Sequence, residues 1–379
     1  GALVVDKLHA TAQFIALDNV WPLISYLPET GGKRYWLGLC PTGSLHDVDF
    51  SYNRGALSRA STSVPQYGIQ FSFERMGAVP FKKIPGFSGL SGSLRATSDN
   101  GSLTIDSSNS TLTFPNLFRS SLPITHLRGK VGWARKSQGL TIHSADLSVE
   151  NEDANVQVAV DLLIPHQGTS YIDLHASTSN VDVQATSRYL PVGIMKEKVI
   201  NWLDTAFISG KVKTAQATLR GPLDKFPFRG EEGELLVTAQ VKGLTLNYQL
   251  GWMPATDIQA LAEFHNAGFN ITASSGRING LDIDYLEGSM SDYRDAMLSI
   301  KGHSHGDLSR GVGFVQHSPI APALGSLFKD LQAQGALQAG VELQFPLKQF
   351  QQSKIDIGLS LSDASLSLTD LKSSMTHVS

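Results

Sequence analysis

Apolar and polar side chains alternate with a period of two along most of this chain. Val156, Val158, Val160, Leu162 and Ile164 share one phase, while Gln157, Ala159 and Asp161 hold the other. Leu235 to Val241 repeats the pattern, as do Leu244, Leu246, Tyr248 and Leu250, and then Ile258, Ala260, Ala262 and Phe264. Leu337 to Phe345 and Ile355 to Leu361 carry it towards the C-terminal end. Period two with one apolar face predicts antiparallel strands that are wet on one side. Hairpins entered through proline punctuate them. Leu122-Pro123 leads through Val131 and Trp133 to Gly139-Leu140-Thr141-Ile142. Met253-Pro254 leads to Gly268-Phe269-Asn270-Ile271, and Ile84-Pro85 to Gly101-Ser102-Leu103-Thr104-Ile105.

A second period interrupts the strands. Met195, Val199, Trp202, Leu203 and Ala206 form one apolar helical stripe. Thr186 or Ser187 suits its start, Pro191 its first turn and Gly210 its far side. This predicts a helix over about 187–206, and Leu324, Leu327, Phe328 and Leu331 predict another over about 319–333. The anchors recur in order: Tyr26-Leu27-Pro28, Trp36-Leu37 and Gly43; Tyr189-Leu190-Pro191, Trp202-Leu203 and Gly210; and, more weakly, Pro319, Leu327-Phe328 and Gly335. With Gly31-Gly32 inside, the first copy predicts only a turn or so of helix. Leu-x-x-Pro-Leu-x-x-Phe also occurs twice, at Leu219–Phe226 and Leu343–Phe350, where proline ends a strand that cannot continue its ladder. Stacked supersecondary repeats of this kind predict an elongated, mainly β body with two or three short helices at module boundaries. The modules fall at 1–185, at 186–315 with a leading helix, and at 316–379, where the last is truncated.

Composition sharpens this picture modestly. Charged residues are 17% of the 379, apolar residues 41%, and glycine is abundant at 35, which suits a β-rich chain. With a net charge of −3 and no dense Lys/Arg tract, nucleic acid is not an expected partner. The single cysteine, Cys40, excludes an intrachain disulfide. No apolar run approaches the ~20 residues needed to span a bilayer as a helix. The chain opens directly into strand-like sequence and is expected to be a piece of something longer.

A one-faced sheet must cover its apolar side. It can curl so that its own side chains fill the interior, or the interior can hold an apolar ligand. Here the residues speak through resemblance. Tyr189-Leu190-Pro191, Trp202-Leu203, Gly210, Leu219-Arg220-Gly221-Pro222-Leu223 and Phe226-Pro227-Phe228 resemble the YhdP family, AsmA-like proteins of Gram-negative envelopes. Gly233, Tyr248, Trp252-Met253-Pro254, Phe264, Gly276 and Gly280 continue the likeness, with Met253 a departure where proline would directly follow the tryptophan. The resemblance implies a curled antiparallel sheet, a β-taco of repeating grooves. It also implies non-enzymatic transport of phospholipid between inner and outer membranes, a periplasmic location, an inner-membrane anchor helix outside this sequence, and further envelope protein partners. The alternative is a periplasmic scaffold or assembly factor with a self-filled groove. On the lipid reading the mid-strand apolar residues Val158, Val160, Val237, Leu246, Ile258, Ala260, Val341 and Ile357 are expected to line the groove.

No catalytic site, cofactor or metal is expected. His303-Ser304-His305 invites a metal reading, but a glycine-flanked pair without a second ligand cluster is more simply a solvated loop. Gly89-Leu90-Ser91-Gly92 lacks the spacing of a nucleophile elbow. Glu150, Glu152 and Asp153 around Asn151 suit a polar hairpin turn better than a calcium or sugar site. Trp133, Trp202 and Trp252 stand inside repeated anchors, which favours packing over sugar stacking. A sugar-binding solenoid would need aromatic and carboxylate residues in register on one exposed ladder, and none is seen.

Overall fold

The computed structural model describes residues 6–24, 31–54, 66–82, 84–368 and 373–378. It divides into two compact units: residues 1–178 with 188–195 and 219–224, and residues 179–187 with 196–218 and 225–379. Both are antiparallel meanders in which each strand pairs with its chain neighbours, as the period-two pattern requires.

The first unit holds β1 (Lys7–Ala16), β2 (Thr42–Asn53), β3 (Gln66–Ala78), β4 (Gly86–Thr97), β5 (Asn100–Thr113), β6 (Leu122–Lys136), β7 (Gly139–Glu150), β8 (Asn155–Pro165) and most of β9 (Tyr171–Asp182). The second holds most of β10 (Phe207–Pro222), then β11 (Glu234–Leu246), β12 (Ala255–His265), β13 (Gly268–Ile278), β14 (Leu281–Met290), β15 (Met297–Asp307), β16 (Leu331–Pro346), β17 (Lys354–Leu368) and β18 (Ser373–Val378). All three proline-entered phrases are hairpins: β4–β5, β6–β7 and β12–β13.

Five short α-helices interrupt the described strands: α1 (Leu17–Ile24) and α2 (Gly31–Leu39) between β1 and β2, α3 (Glu197–Ala206) between β9 and β10, and α4 (Leu308–Gln316) and α5 (Ser326–Lys329) between β15 and β16. These are the three places where the repeated anchors stand. Tyr26-Leu27-Pro28 lies outside the described residues, as do the side chains of Leu327 and Phe350. Pro222 and Pro346 are each the last residue of a strand, followed by a 3-10 turn or a short loop and turn.

Several helix boundaries differ from expectation. The span 187–206 breaks into 3-10 turns at Val183–Tyr189 and Val192–Ile194 before α3, and Met195 is extended. Pro191 supplies no N–H, and Gly193 passes so close to Asn116 that a Cβ there would meet its carbonyl oxygen. Thr186 and Ser187 cap no helix; their hydroxyls donate to the carbonyls of Val183 and Gln184. Glycines 31 and 32 open a nine-residue helix rather than a single turn. The span 319–333 is mostly not α-helical: Leu331 already belongs to β16, and the longer helix of this crossover is α4, which precedes the expected span. Tertiary packing of Leu308 and Val312 outweighs the weak propensity of a segment with two internal glycines. The His-x-His stretch, expected in a loop, is strand β15.

Bulges curl each sheet. Pairing slips by one residue between β2 and β3, β3 and β4, β11 and β12, and β16 and β17, at left-handed residues that include Asp47, Arg75, Gly243 and Asp363. Such a bulge bends the strand and increases its twist. It also resets the side-chain phase, so the apolar set steps by three at Phe73 to Met76, Val241 to Leu244 and Ala255 to Ile258. Leu235–Val241 and Leu244–Leu246 are therefore one strand, which ends before Tyr248. The anchor glycines Gly43, Gly210 and Gly335 are part of this device, with φ of 102°, 133° and 117°. Each presses on a bulge of the next strand, where a Cβ would stand within 3 Å of the backbone at Arg75, Leu244 or Asp363.

Candidate functional site

Registers convert alternation into a surface. Residues of the apolar phase face one another across neighbouring strands and form rungs. In the first unit one rung runs Ala10, Phe50, Ile69, Ala96, Gly101, Trp133, Ile142, Leu162 and Ile172 across all nine strands. Trp133 lies across Gly101, where even a methyl group would collide with its ring. In the second unit a rung runs Val241, Ala260, Ala273, Leu286, Gly302, Val341 and Ile357 from β11 to β17. A parallel one runs Ala239, Ala262, Ile271, Gly288, Ile300, Leu343 and Ile355. No polar side chain interrupts these three rungs.

Three of the eight expected lining residues, Ala260, Val341 and Ile357, fall on one rung. Ile258 lies on the adjacent rung, opposite Leu244 and against Gly276, and is itself buried. Leu246 pairs with Ala255 on one side of it, and Val237 with Phe264 towards the other end of the strands. In the first unit Val158 stands between Leu147 and Ala176, and Val160 between Ser144 and Leu174. Alternation alone did not single out Ala273, Leu286 or Ile271, because β13 and β14 mix glycine and serine into the apolar phase; register supplies them.

The face is half-buried along most of its rungs and exposed at β17. Ile355, Ile357 and Leu359 are 63%, 55% and 61% exposed on β17. Elsewhere α4 lies on it, with Leu308 and Val312 packed on Leu281, Ala333, Leu337 and Ala364.

Two buried serines, Ser107 and Ser144, serve the bulges. Ser107 Oγ accepts the Ser91 N–H at 2.8 Å and donates to the Ser91 carbonyl at 3.0 Å, while Ser91 Oγ accepts the Arg75 N–H at 3.1 Å. Ser144 Oγ donates to the Lys130 carbonyl at 2.8 Å. Each hydroxyl satisfies a backbone group that a slipped ladder leaves unpaired. The tight stretch at Ser91 thus serves the bulge at Arg75.

Polar residues of the opposite phase pair across strands. Lys301 meets Glu342 at 3.2 Å, Arg128 meets Asp106 at 3.1 Å, and His305 meets Asp284 at 2.9 Å. The hydrogen bond to Asp284 raises the His305 pKa above its ordinary value. Among the described residues no three His, Cys, Asp or Glu side chains are grouped to hold a metal ion. At the 151–154 turn, Asn151 Oδ1 accepts the N–H groups of Asp153 and Ala154, and Asp153 takes Arg188 and Tyr189. No described helix is long and apolar enough to cross a membrane.

The sequence model of the YhdP protein family matches residues 2–379. The chain belongs to the YhdP family. It is 22% identical over 346 residues to the intermembrane phospholipid transporter YhdP of Escherichia coli strain K12, an alignment covering 90% of this chain and 27% of that protein. The chain thus spans about a quarter of the length of its YhdP relative. No solved structure matches it.

Proposed function

We propose that this chain carries phospholipid by holding acyl chains against its apolar rungs and passing them along without covalent chemistry. The observation that carries the reading is the rung from Val241 to Ile357, apolar on seven successive strands and open to solvent at its β17 end. An acyl chain kept from water gains about 0.8 kcal/mol per CH₂, so a wet gap would be a barrier of several kcal/mol and a continuous surface is required. No polar side chain need grip the ligand, since tight binding would stall it. The named activity of the Escherichia coli relative supports the same reading.

In this reading residues 1–185, 186–315 and 316–379 act as successive groove modules, and all eight expected residues line lipid. The location is the periplasm, with an inner-membrane anchor helix and the membrane-facing ends supplied by other parts of a longer protein, and with envelope proteins as further partners. The self-filled scaffold is less well supported, because the activity named for the Escherichia coli relative is phospholipid transport. Organic extraction of the purified chain followed by mass spectrometry decides between them. Phospholipid in near-stoichiometric amount is expected; a clean extract at good protein yield would favour the scaffold.

A further inference from the structure

Helix α4 occupies the surface that the strands would otherwise offer to an apolar ligand. Leu308 and Val312, one turn apart, are buried against Leu281, Ala333, Leu337 and Ala364. Leu337 shares the apolar phase of Val341 on β16, and Leu281 that of Ile283 on β14. The helix is poorly built to persist without this contact. Nine residues are below the length at which isolated helices hold, and two of the nine, Gly311 and Gly313, are glycine. Asp307 at its start makes no side-chain capping bond. Close seating depends on Gly311, where a Cβ would stand 2.4 Å from Leu337 Cδ2. At the far end Phe314 meets Trp252 with ring centroids 5.3 Å apart, and Trp252 meets Tyr248 at 6.4 Å. The buried Tyr248 hydroxyl has no hydrogen-bond partner among the described residues. Among the described residues, polar tethers stand only at its edges, from Asn279 Nδ2 to the Arg310 carbonyl at 2.8 Å and from Gln316 Nε2 to the carbonyls of Phe328 and Leu331 at 3.0 and 2.9 Å. The face that meets the strands is apolar, and it rests on a surface that suits acyl methylenes equally well.

We propose that α4 is a displaceable lid: Leu308 and Val312 stand in for acyl methylenes, and a phospholipid chain takes their place by lifting the helix. This rests on the phospholipid reading of the same face. A lid of this kind keeps the crease dry when no lipid is bound and lets a chain replace one apolar contact with another.

The test incubates the whole chain with vesicles of phosphatidylethanolamine and phosphatidylglycerol, re-isolates it, and measures bound lipid by mass spectrometry with amide hydrogen exchange over 308–316. Trp252 emission, taken as the difference from Trp252→Phe, reports the Phe314 contact. Bound lipid is expected to speed exchange in α4 ten-fold or more and to shift Trp252 emission. The variant Gly313→Ala, whose new methyl meets only Asn279 at 3.4 Å, strengthens the helix. It should lower uptake about five-fold, the ratio that a Gly-to-Ala difference in helix propensity implies. Lipid bound with α4 equally or better protected, and with Gly313→Ala taking up as much as the parent, would make α4 a fixed wall and overturn the lid alone. Absence of bound lipid on the parent chain would overturn the phospholipid reading and the lid with it.

Discussion

Tyr189 shows how one anchor residue of the repeat works. Its hydroxyl donates to Asp153 at 2.7 Å and accepts from Asn151 Nδ2 at 2.6 Å, while Arg188 holds the other Asp153 oxygen at 2.8 Å. Burial first, and then the Asp153 carboxylate, push the phenol up to about 12 from its ordinary 10.0. The fold thus prefers the neutral phenol. That preference is fully present below pH 10 and is lost as pH rises from 10 towards 12. Urea midpoints should accordingly hold steady up to pH 10 and fall above it. Tyr189→Phe should be less stable by about 1.5–3 kcal/mol at neutral pH, the usual worth of a hydrogen bond to a charged group, and the gap should close in alkali. A constant gap between the two proteins from pH 7 to 12 would mean that the phenol's proton is not linked to folding. The sequence showed a polar turn at 151–154 and a tyrosine in a repeat. Nothing in either pattern joins residues this far apart in the chain, so the network was not legible.

At the scale of elements, the glycines that close each helical crossover are the residues that start the bulge row, and substitution should show it. Gly335→Ala places a Cβ 2.7 Å from the Asp363 carbonyl at φ 117° and should cost about 1–3 kcal/mol by chemical denaturation. Gly358→Ala, with open space around it, should stay within about 0.5 kcal/mol. Equal effects would deny Gly335 its special geometry. Helix α3 offers a second contrast. Val199 is 44% exposed whereas Leu203 is half-buried, so Val199→Asp should barely shift the melting temperature and Leu203→Asp should lower it by several degrees. The apolar stripe of α3 is thus buried only in part, with Trp202 also 42% exposed and Ala206 fully buried. Strands and hairpins were legible because period two and proline-entered turns are local signals, and the three crossovers because their anchors repeat. The bulges at Asp47 and Asp363 carried only the mild preference of aspartate for the left-handed region, and Arg75 carried none. Helix α4 was missed because its stability comes from Leu281 and Leu337, which local propensity does not see.

At the scale of the whole molecule, the proposed carrier function depends on continuity of the apolar face, and a single charge tests it. Register places Val341 between Gly302 and Ile357 on a rung with no polar member, so phase along β16 is fixed by pairing on both sides. Ile357 is 55% exposed, which lets an introduced carboxylate keep its water instead of being buried unpaired. Ile357→Asp should therefore leave the melting temperature nearly unchanged, and Val341→Asp should lower it modestly. Each nonetheless sets a hydrated group in the path of an acyl chain, a barrier of several kcal/mol. Lipid transfer between vesicles by the purified chain should fall at least ten-fold, while Val341→Leu and Ile357→Val should transfer normally. In cells, the same charge in the full-length protein should leave its abundance unchanged and compromise outer-membrane integrity. Photo-crosslinkers at Val341 and Ile357 should capture phospholipid. Those at Gln157, whose amide is held by Ser148 and Asn155 on the polar face, and at Thr245 and Asn247 should not. Equal capture on the two faces, or undiminished transfer with aspartate on the rung, would mean that lipid does not travel along this surface.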